Sequence, residues 1–558
     1  MPKSFGIKIV GPAGSGIFSA GEIVFRSLVK SGYYCQGYPE YPSLIKGGHN
    51  TYLISLAEHV MPNNAPQIDI LIALTANALE AEKANLTPQT RVIADATFKP
   101  TFSHEKMFLP ALLDAARAAG NPLTLNTGFI GFLTGLLKLN PALVFDLVKK
   151  DFAGKSDELI KQNQQVFEAG LALSKSASLD LKLPKAENKH HRLVLNGSQA
   201  IGLGAIAAGI NLYAGYPMTP SSPVLHYLAS KQSEFGFLVR QAEDEIAAIN
   251  MAIGASFAGA KTMTGTSGGG FALMQEAISL AGMIETPLVI YLAMRPGPAT
   301  GLPTWTSQSD LDFAINAGHG EFPRIVLAPG DPRECYLLTH HAFVLSQKYH
   351  LPVIILSDKY LSENLYCLED LPEIFPAQLS FGLPTTAQKS ATMYPRYQYT
   401  TTGVSTRSIP GVPGGEYLAN SDEHQDEGLV DESETTRTLQ NTRRLNRLMS
   451  VAHEIPMPEL MEQGTDLIIT WGSNRYIGRE IASSSGQSHM HFSHVWPIPS
   501  GVATHLRRFR RRIVVENNTT NQFAKLLFRE TGVHIDIVYG HDSGRPIDPA
   551  EVIKKLQT

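Results

Sequence analysis

The chain is poor in cysteine. Cys35, Cys335 and Cys367 are the only three among 558 residues, and they lie far apart. An iron–sulfur cluster or a structural zinc takes about four clustered ligands, so neither is expected within this chain. The odd, sparse set also argues against a disulfide framework and for a reducing cytoplasm. No window approaches the roughly 18 consecutive apolar residues of a membrane span. The start, Met1-Pro2-Lys3-Ser4-Phe5-Gly6, runs into a strand-like Ile7-Lys8-Ile9-Val10 without a signal-peptide pattern. An excess of one charge is missing too. Lys and Arg number 47 against 51 Asp and Glu, a net charge of -4, so neither nucleic acid nor an anionic membrane is an expected partner. The eighteen histidines show no ligand spacing, and no metal site is expected; His190-His191 and His489, His491 and His494 read as surface or core residues. The basic run Arg507-Arg508-Phe509-Arg510-Arg511-Arg512 reads as a solvated helix face, or as a surface for an acidic partner or phosphorylated ligand.

What is present is a globular composition, 43% hydrophobic and 18% charged. Residues 1–185 read as an α/β domain. In it a strand leads through Gly11-Pro12-Ala13-Gly14-Ser15-Gly16 into a helix, with further buried strands at Ile68–Leu74 and Arg91–Asp95. Such a glycine turn either brings backbone N–H groups to an anion or is simply a turn. A second α/β domain is expected over 190–372. Its strands are Leu193–Leu195, Asn211–Ala214, Lys261–Thr264, Pro287–Leu292, Arg324–Leu327 and Pro352–Leu356, alternating with helices as in a doubly wound parallel sheet. Ligands of such a sheet sit at the carboxyl ends of its strands. Residues 373–450 read as an irregular acidic linker or arm, because Ser421–Glu434 carries seven acids and no Lys or Arg. A final α/β domain covers 451–558, and no internal repeat stands out.

Four motifs carry the candidate chemistry. Tyr216-Pro217-Met218-Thr219-Pro220-Ser221-Ser222-Pro223 has three prolines that forbid regular helix or central strand, so it is either a surface turn or a rigid loop presenting hydroxyls to a ligand. Gln241-Ala242-Glu243-Asp244-Glu245 opens a small-residue helix. Its acids either compensate the helix dipole or set one carboxylate against a cofactor ring nitrogen. Thr264-Gly265-Thr266-Ser267-Gly268-Gly269-Gly270 follows a strand and invites close backbone approach. Arg295 ends an apolar strand, where a planar, permanently charged fork suits a carboxylate of a ligand or of a structural ion pair.

Taken together these motifs resemble those of the α subunit of 2-oxoacid:ferredoxin oxidoreductases, in the form with a γ domain fused ahead of the α domains, over nearly the whole chain. Gly11–Gly16, Tyr38-Pro39-Glu40-Tyr41-Pro42-Ser43 and Lys46-Gly47-Gly48-His49-Asn50 look like the fused γ domain. Tyr216–Ser222 is similar to the family's Tyr-Pro-Ile-Thr-Pro-Ser-Ser signature, with Met218 the single departure. Val515-Glu516-Asn517-Asn518 resembles the C-terminal domain, but Asn518-Thr519-Thr520-Asn521 departs from the glycine usual nearby, which puts a ligand role of that loop in doubt.

The resemblance implies a multidomain α/β fold with a pyrimidine-side thiamine-diphosphate-binding domain and a transketolase-C-like C-terminal domain. The implied reaction is oxidative decarboxylation of a 2-oxoacid with coenzyme A, giving acyl-CoA, carbon dioxide and reduced ferredoxin; 2-oxoglutarate is the favoured substrate, with pyruvate or broad specificity as alternatives. Thr219 then faces the substrate with Tyr216 and Ser221, and Arg295 holds the 2-oxoacid carboxylate. Glu245 meets the aminopyrimidine, on its gapless distance to Gly254-Ala255, with Glu243 as the alternative. Gly268 and Gly269 approach that cofactor, and Gly11, Gly14 and Gly16 a phosphate. No Gly-Asp-Gly metal loop and no cysteine cluster occur. The family places the magnesium–diphosphate end and the iron–sulfur cluster in a separate β subunit, so an (αβ)2 assembly with a shared active site is implied. Two other readings compete: a non-catalytic CoA- or nucleotide-binding module, and another transketolase-like thiamine enzyme subunit.

Overall fold

The computed structural model describes residues 4–44, 48–57, 67–177, 181, 183–187, 192–376 and 393–557. Lys46 and Gly47 of the Lys46–Asn50 motif lie outside them. The chain divides into two compact units, Met1–Leu195 with Glu363–Asp370, and Asn196–Ser362 with Leu371–Thr558. Among the described residues no helix is long and apolar enough to cross a membrane.

The first unit is built on an eight-stranded sheet. Across it run Met107–Phe108, Arg91–Ala94, Ile70–Ala73, Phe5–Gly11, Asn50–Ala57, Tyr34–Glu40, Leu365–Leu368 and Leu193–Leu195. The first four pair in parallel and the rest antiparallel. The sequence pattern declared only the parallel half. It also placed Leu193–Leu195 in the second domain, whereas that strand pairs with Leu365–Leu368 at the edge of this sheet. A three-residue strand carries too little pattern to declare its partner. The helix Ile17–Lys30 buries Val24, Phe25 and Leu28 on the sheet, the amphipathic stripe expected of a covering helix.

The second unit carries a seven-stranded sheet ordered His494–Trp496, Ile325–Leu327, Pro352–Asp358, Leu288–Met294, Thr262–Thr266, Leu212–Gly215, Leu238–Gln241. All neighbours are parallel except the first pair. The central strands are apolar and buried on both faces, as a sheet covered by helices on each side requires. Register fixes which residues meet at the carboxyl ends. Gly215 lies beside Gly265, and Thr266 beside Leu292, so the segments leaving three adjacent strands emerge together. This unit also holds a five-stranded sheet, ordered Glu459–Met461, Ser488–Phe492, Asp466–Trp471, Arg511–Glu516, Ile537–Gly540. One apolar core runs through both sheets, from Phe271 and Ile290 to Trp471, Val514 and Phe523. The basic run Arg507–Arg512 is solvated, with Arg507, Arg508 and Arg510 exposed, but it is no helix face: it is a turn leading into the strand Arg511–Glu516, where Arg510 and Arg511 clamp Asp466 and Arg512 pairs with Asp536.

The acidic stretch is likewise not an irregular arm throughout. Ser421–Ser433 does lack regular helix or strand, but Glu434–Ala452 is a helix, and its Arg443 and Arg447 are fully buried. Arg443 forms two charge-assisted bonds to the Glu285 carboxylate, and Arg396 and Arg447 each approach it to 3.6 Å. The same arginines donate to carbonyls at helix ends. Arg396 reaches Glu285 O, just past the helix Gln275–Met283, at 2.9 Å. Arg447 reaches His350 O, at the end of the helix Pro332–Tyr349, at 2.7 Å. Arg407 donates to Ser256 O in the last turn of the helix Glu245–Phe257. Cations at helix C-termini are favoured by the macrodipole, so this segment is a basic clamp on three helices. Its acids belong to the same device, since Glu423 pairs with Arg437 and Arg444.

Candidate active site

At the carboxyl end of the seven-stranded sheet, the proline-stiffened loop meets Arg295. The Arg295 guanidinium donates from Nη1 to the Thr219 carbonyl at 2.7 Å. Arg295 is 9% exposed, and burial lowers its pKa, with Asp310 opposing. Thr219 is half-buried and Tyr216 is exposed at the loop's edge. Ser221 is different. It is buried, and its hydroxyl donates to Met218 O at 2.7 Å, so it locks the turn.

The three acids at the start of the next helix separate cleanly. Glu243 is exposed. Asp244 is the N-cap, its carboxylate accepting from Ala247 N at 2.8 Å. Glu245 is 3% exposed, and its Oε1 is buried without a hydrogen-bond partner among the described residues. Dipole compensation therefore explains Asp244 and leaves Glu245 unexplained. A buried polar group without a partner costs about 1–3 kcal/mol, so it calls for an explanation, of which a ligand is one.

The glycine-rich turn explains the shape around Glu245. A Cβ on Gly270 would overlap Glu245 Oε1 and Thr266 Oγ1, so any larger residue there would have to displace both side chains. A Cβ on Gly268 would lie 2.8 Å from Asp310 Oδ2, while Gly269 faces open space. Ser267 Oγ is buried without a partner among the described residues in the same turn. Asp310 itself escapes a reading of the sequence. It stands before the five-residue helix Leu311–Ile315 and makes no side-chain cap bond. Its Oδ2 is buried and, among the described residues, unpartnered. Burial raises its pKa to about 6, against the opposing charge of Arg295. The only signal in the sequence is an acid in the apolar-poor stretch Thr304–Asp310, which has no period to read.

In the first unit, Gly14 and Gly16 take left-handed φ of 83° and 75°, and Gly16 caps the helix Ile17–Lys30 without a side-chain bond. The Ser15 hydroxyl donates to Pro12 O, and the Asn126 amide donates to Ser15 O. Gly11 ends the strand, and a Cβ there would crowd Ser15 Oγ. The Tyr38–Ser43 motif is partly used internally: the Tyr41 hydroxyl donates to Glu363 at 2.9 Å. At the C-terminal loop, Asn521 adopts φ 56°, a left-handed conformation that glycine would hold more easily. Asn517 and Asn518 bond to Gln308 and Glu516. No group of three or more metal-ligating side chains occurs among the described residues.

Comparison with known proteins gives the family. The α subunit of the 2-oxoacid:ferredoxin oxidoreductase of Sulfolobus sp is 30% identical, with 96% of this chain and 94% of that one covered. The chain belongs to this family. A 2-oxoglutarate oxidoreductase subunit of Mycobacterium tuberculosis is 26% identical over 93% of the chain and 86% of its own length. The solved 2-oxoglutarate:ferredoxin oxidoreductase of Magnetococcus marinus, with 2-oxoglutarate, coenzyme A and succinyl-CoA bound, superposes with a TM-score of 0.92 at 29% identity, covering 100% of this chain and 99% of that one. Residues 203–443 match the thiamine-diphosphate-binding model of pyruvate flavodoxin/ferredoxin oxidoreductases, and residues 6–173 the pyruvate ferredoxin/flavodoxin oxidoreductase model. The chain is thus a subunit of an oxidoreductase, and Glu245, Gly268–Gly270 and Arg295 all fall within the thiamine-binding region.

Proposed function

We propose that this chain supplies the pyrimidine-side and substrate-carboxylate wall of a CoA-dependent 2-oxoacid:ferredoxin oxidoreductase whose active site is completed by a β subunit. The observation that carries the reading is Glu245: a buried carboxyl whose Oε1 has no hydrogen-bond partner among the described residues, beside a turn where a Cβ at position 270 would crowd it. That fits a ring nitrogen of thiamine diphosphate, and Glu245 would hold a proton at Oε1 against it. The bound cofactor supplies the electron sink for decarboxylation. Arg295 binds and orients the substrate carboxylate, and the Thr219 carbonyl fixes the guanidinium for that task. Glu243 is too exposed for the cofactor role, and Ser221 serves the loop rather than the substrate.

Several features support a partner. Ile246, Met251 and Leu273, on the two helices that leave the acidic and glycine-rich turns, are 49%, 42% and 52% exposed, and Leu238 on the sheet's edge strand is 54% exposed. Where such residues form one contiguous patch, it is normally covered. The partner would carry the magnesium–diphosphate end of the cofactor and the iron–sulfur cluster that reduces ferredoxin, in an (αβ)2 assembly. 2-Oxoglutarate is the favoured substrate, as in the relatives named for it. The left-handed glycines at positions 14 and 16 suit a phosphate of coenzyme A. The test is to co-purify the chain with its partner and assay pyruvate against 2-oxoglutarate with CoA and a low-potential acceptor. CoA-dependent turnover that prefers 2-oxoglutarate and is lost in Glu245→Gln supports the reading. Stoichiometric iron in this chain purified alone would overturn the division of labour.

A further inference from the structure

We infer that Asp310 is a positioning residue, the counter-charge of Arg295 in the free site, and that it takes up a proton when a 2-oxoacid carboxylate binds. The inference rests on the reading of Arg295 as the carboxylate site. The geometry comes first. Asp310 sits at the start of a helix yet caps nothing, so its carboxyl has no local structural duty. Its Oδ2 is buried and unpartnered among the described residues, against the backbone of Gly268 in the turn that also cradles Glu245. Arg295 follows the strand Leu288–Met294, which pairs with the strand leading into that turn, so its charge acts on Asp310 from beyond the 4 Å of an ion pair, while one guanidinium N–H is spent on Thr219 O.

The other charges around this short helix are engaged elsewhere. Lys525 and Arg529, on the helix Gln522–Thr531, act on Asp312. Arg324, before the strand Ile325–Leu327, donates to the carbonyls of Ile315 and Phe322. Asp358, at the end of Pro352–Asp358, accepts from the Ser473 hydroxyl, and Glu516 accepts from Phe523 N and Asn518. In the glycine-rich turn Glu245 is the next carboxyl, beyond Gly270.

A substrate carboxylate arriving at Arg295 would bring a second negative charge into a site that already holds an ionised Asp310. Two carboxylates beside one cation cannot both stay ionised at low cost, so binding favours protonation of the buried one. The environment already inclines Asp310 toward its neutral form. By linkage, one proton taken up per ligand bound weakens binding tenfold for each pH unit above the free-site pKa.

The test uses the assembled holoenzyme and oxamate, an unreactive 2-oxoacid analogue. Calorimetry in two buffers of different ionisation enthalpy counts the protons taken up at pH 7.5. The expected result is close to one proton per oxamate in the wild type and none in Asp310→Asn, with the wild-type Kd rising about tenfold per unit between pH 7 and 8 and the variant's Kd flat. A merely structural Asp310 would leave proton count and slope unchanged on substitution, and that result would overturn the inference. Arg295→Met separates the two ideas. Oxamate binding lost in Arg295→Met but without proton uptake in the wild type sinks the role of Asp310 alone. Undiminished binding in Arg295→Met sinks the reading of the carboxylate site beneath it.

Discussion

Glu285 and Glu245 are both buried carboxyls at helix ends in the same unit, and they are treated in opposite ways. Burial alone would push Glu285 up, but Arg443, Arg447 and Arg396 outweigh it and hold the carboxyl well below the usual range. Glu245 has no cation among its hydrogen-bond partners and one oxygen with no partner among the described residues. Asp310 joins it, raised to about 6 by burial. The fold satisfies Glu285 completely because that carboxylate anchors the basic clamp on three helices. It leaves Glu245 and Asp310 each with an unpartnered oxygen among the described residues, which the proposed function assigns to ligands. The contrast is between these carboxyls alone, since the clamp's own Arg396 and Arg447 also keep buried nitrogens without a hydrogen-bond partner among the described residues.

Substitutions can break this contrast. The largest effect is expected for Glu245→Gln, which should lower turnover of the assembled enzyme about 10²- to 10⁴-fold, the usual range for a lost proton-holding group, in steady-state assays. Its stability should be unchanged or higher. Glu285→Gln should do the reverse. Removing one partner of a buried charge cluster costs about 3–5 kcal/mol, read in urea unfolding, with little effect on turnover once folded. Arg295→Lys should raise KM for the 2-oxoacid about 10- to 150-fold, the worth of a charge-assisted bond, while leaving Tm within a degree or two.

The smallest effects concern pH, and their signs oppose one another. The Glu285 carboxyl is depressed in the folded state, so its contribution is full above about pH 4.5 and lost as pH falls through the folded value. The gap in stability between wild type and Glu285→Gln should therefore close on acidification. The Asp310 carboxyl is raised, so the native state carries a cost that is absent well below pH 3.8 and full above about pH 6. Asp310→Asn should stabilise by about 1–3 kcal/mol at pH 8 and by less than about 1 kcal/mol at pH 4. Unfolding free energies at these pH values check both slopes; equal slopes for the two variants would erase the distinction.

Much of this is legible in the residues. The strands of the second unit are apolar runs bounded by turns, and parallel pairing gathers the loops that leave them at one edge of the sheet. Thr219, Arg295 and the glycine-rich turn can therefore be assigned to one site without coordinates. Glu245 is separable from Glu243 only as a preference, because side-chain direction at a helix start depends on where the cap falls, here Asp244. The clamp is not legible. Arg396, Arg443 and Arg447 sit in polar, acid-rich surroundings that read as solvated, and their burial comes from helix ends brought together by the fold. Asp310 is hidden for the same reason: its meaning lies in Arg295 and Gly268, not in its neighbours along the chain. The edge strand Leu193–Leu195 reads into the wrong sheet because three residues hold no information about a partner more than 160 positions away.

The most direct test of the central claim is the thermal stability of the assembled complex, with and without thiamine diphosphate, for wild type and Glu245→Gln. The account predicts that the cofactor raises the wild-type Tm, and that Glu245→Gln matches or exceeds wild type without cofactor but gains at most a small part of that rise. A Glu245→Gln complex that melts several degrees lower without cofactor, and gains as much from it as wild type, would contradict the account, because Glu245 would then be a structural carboxyl like Glu285.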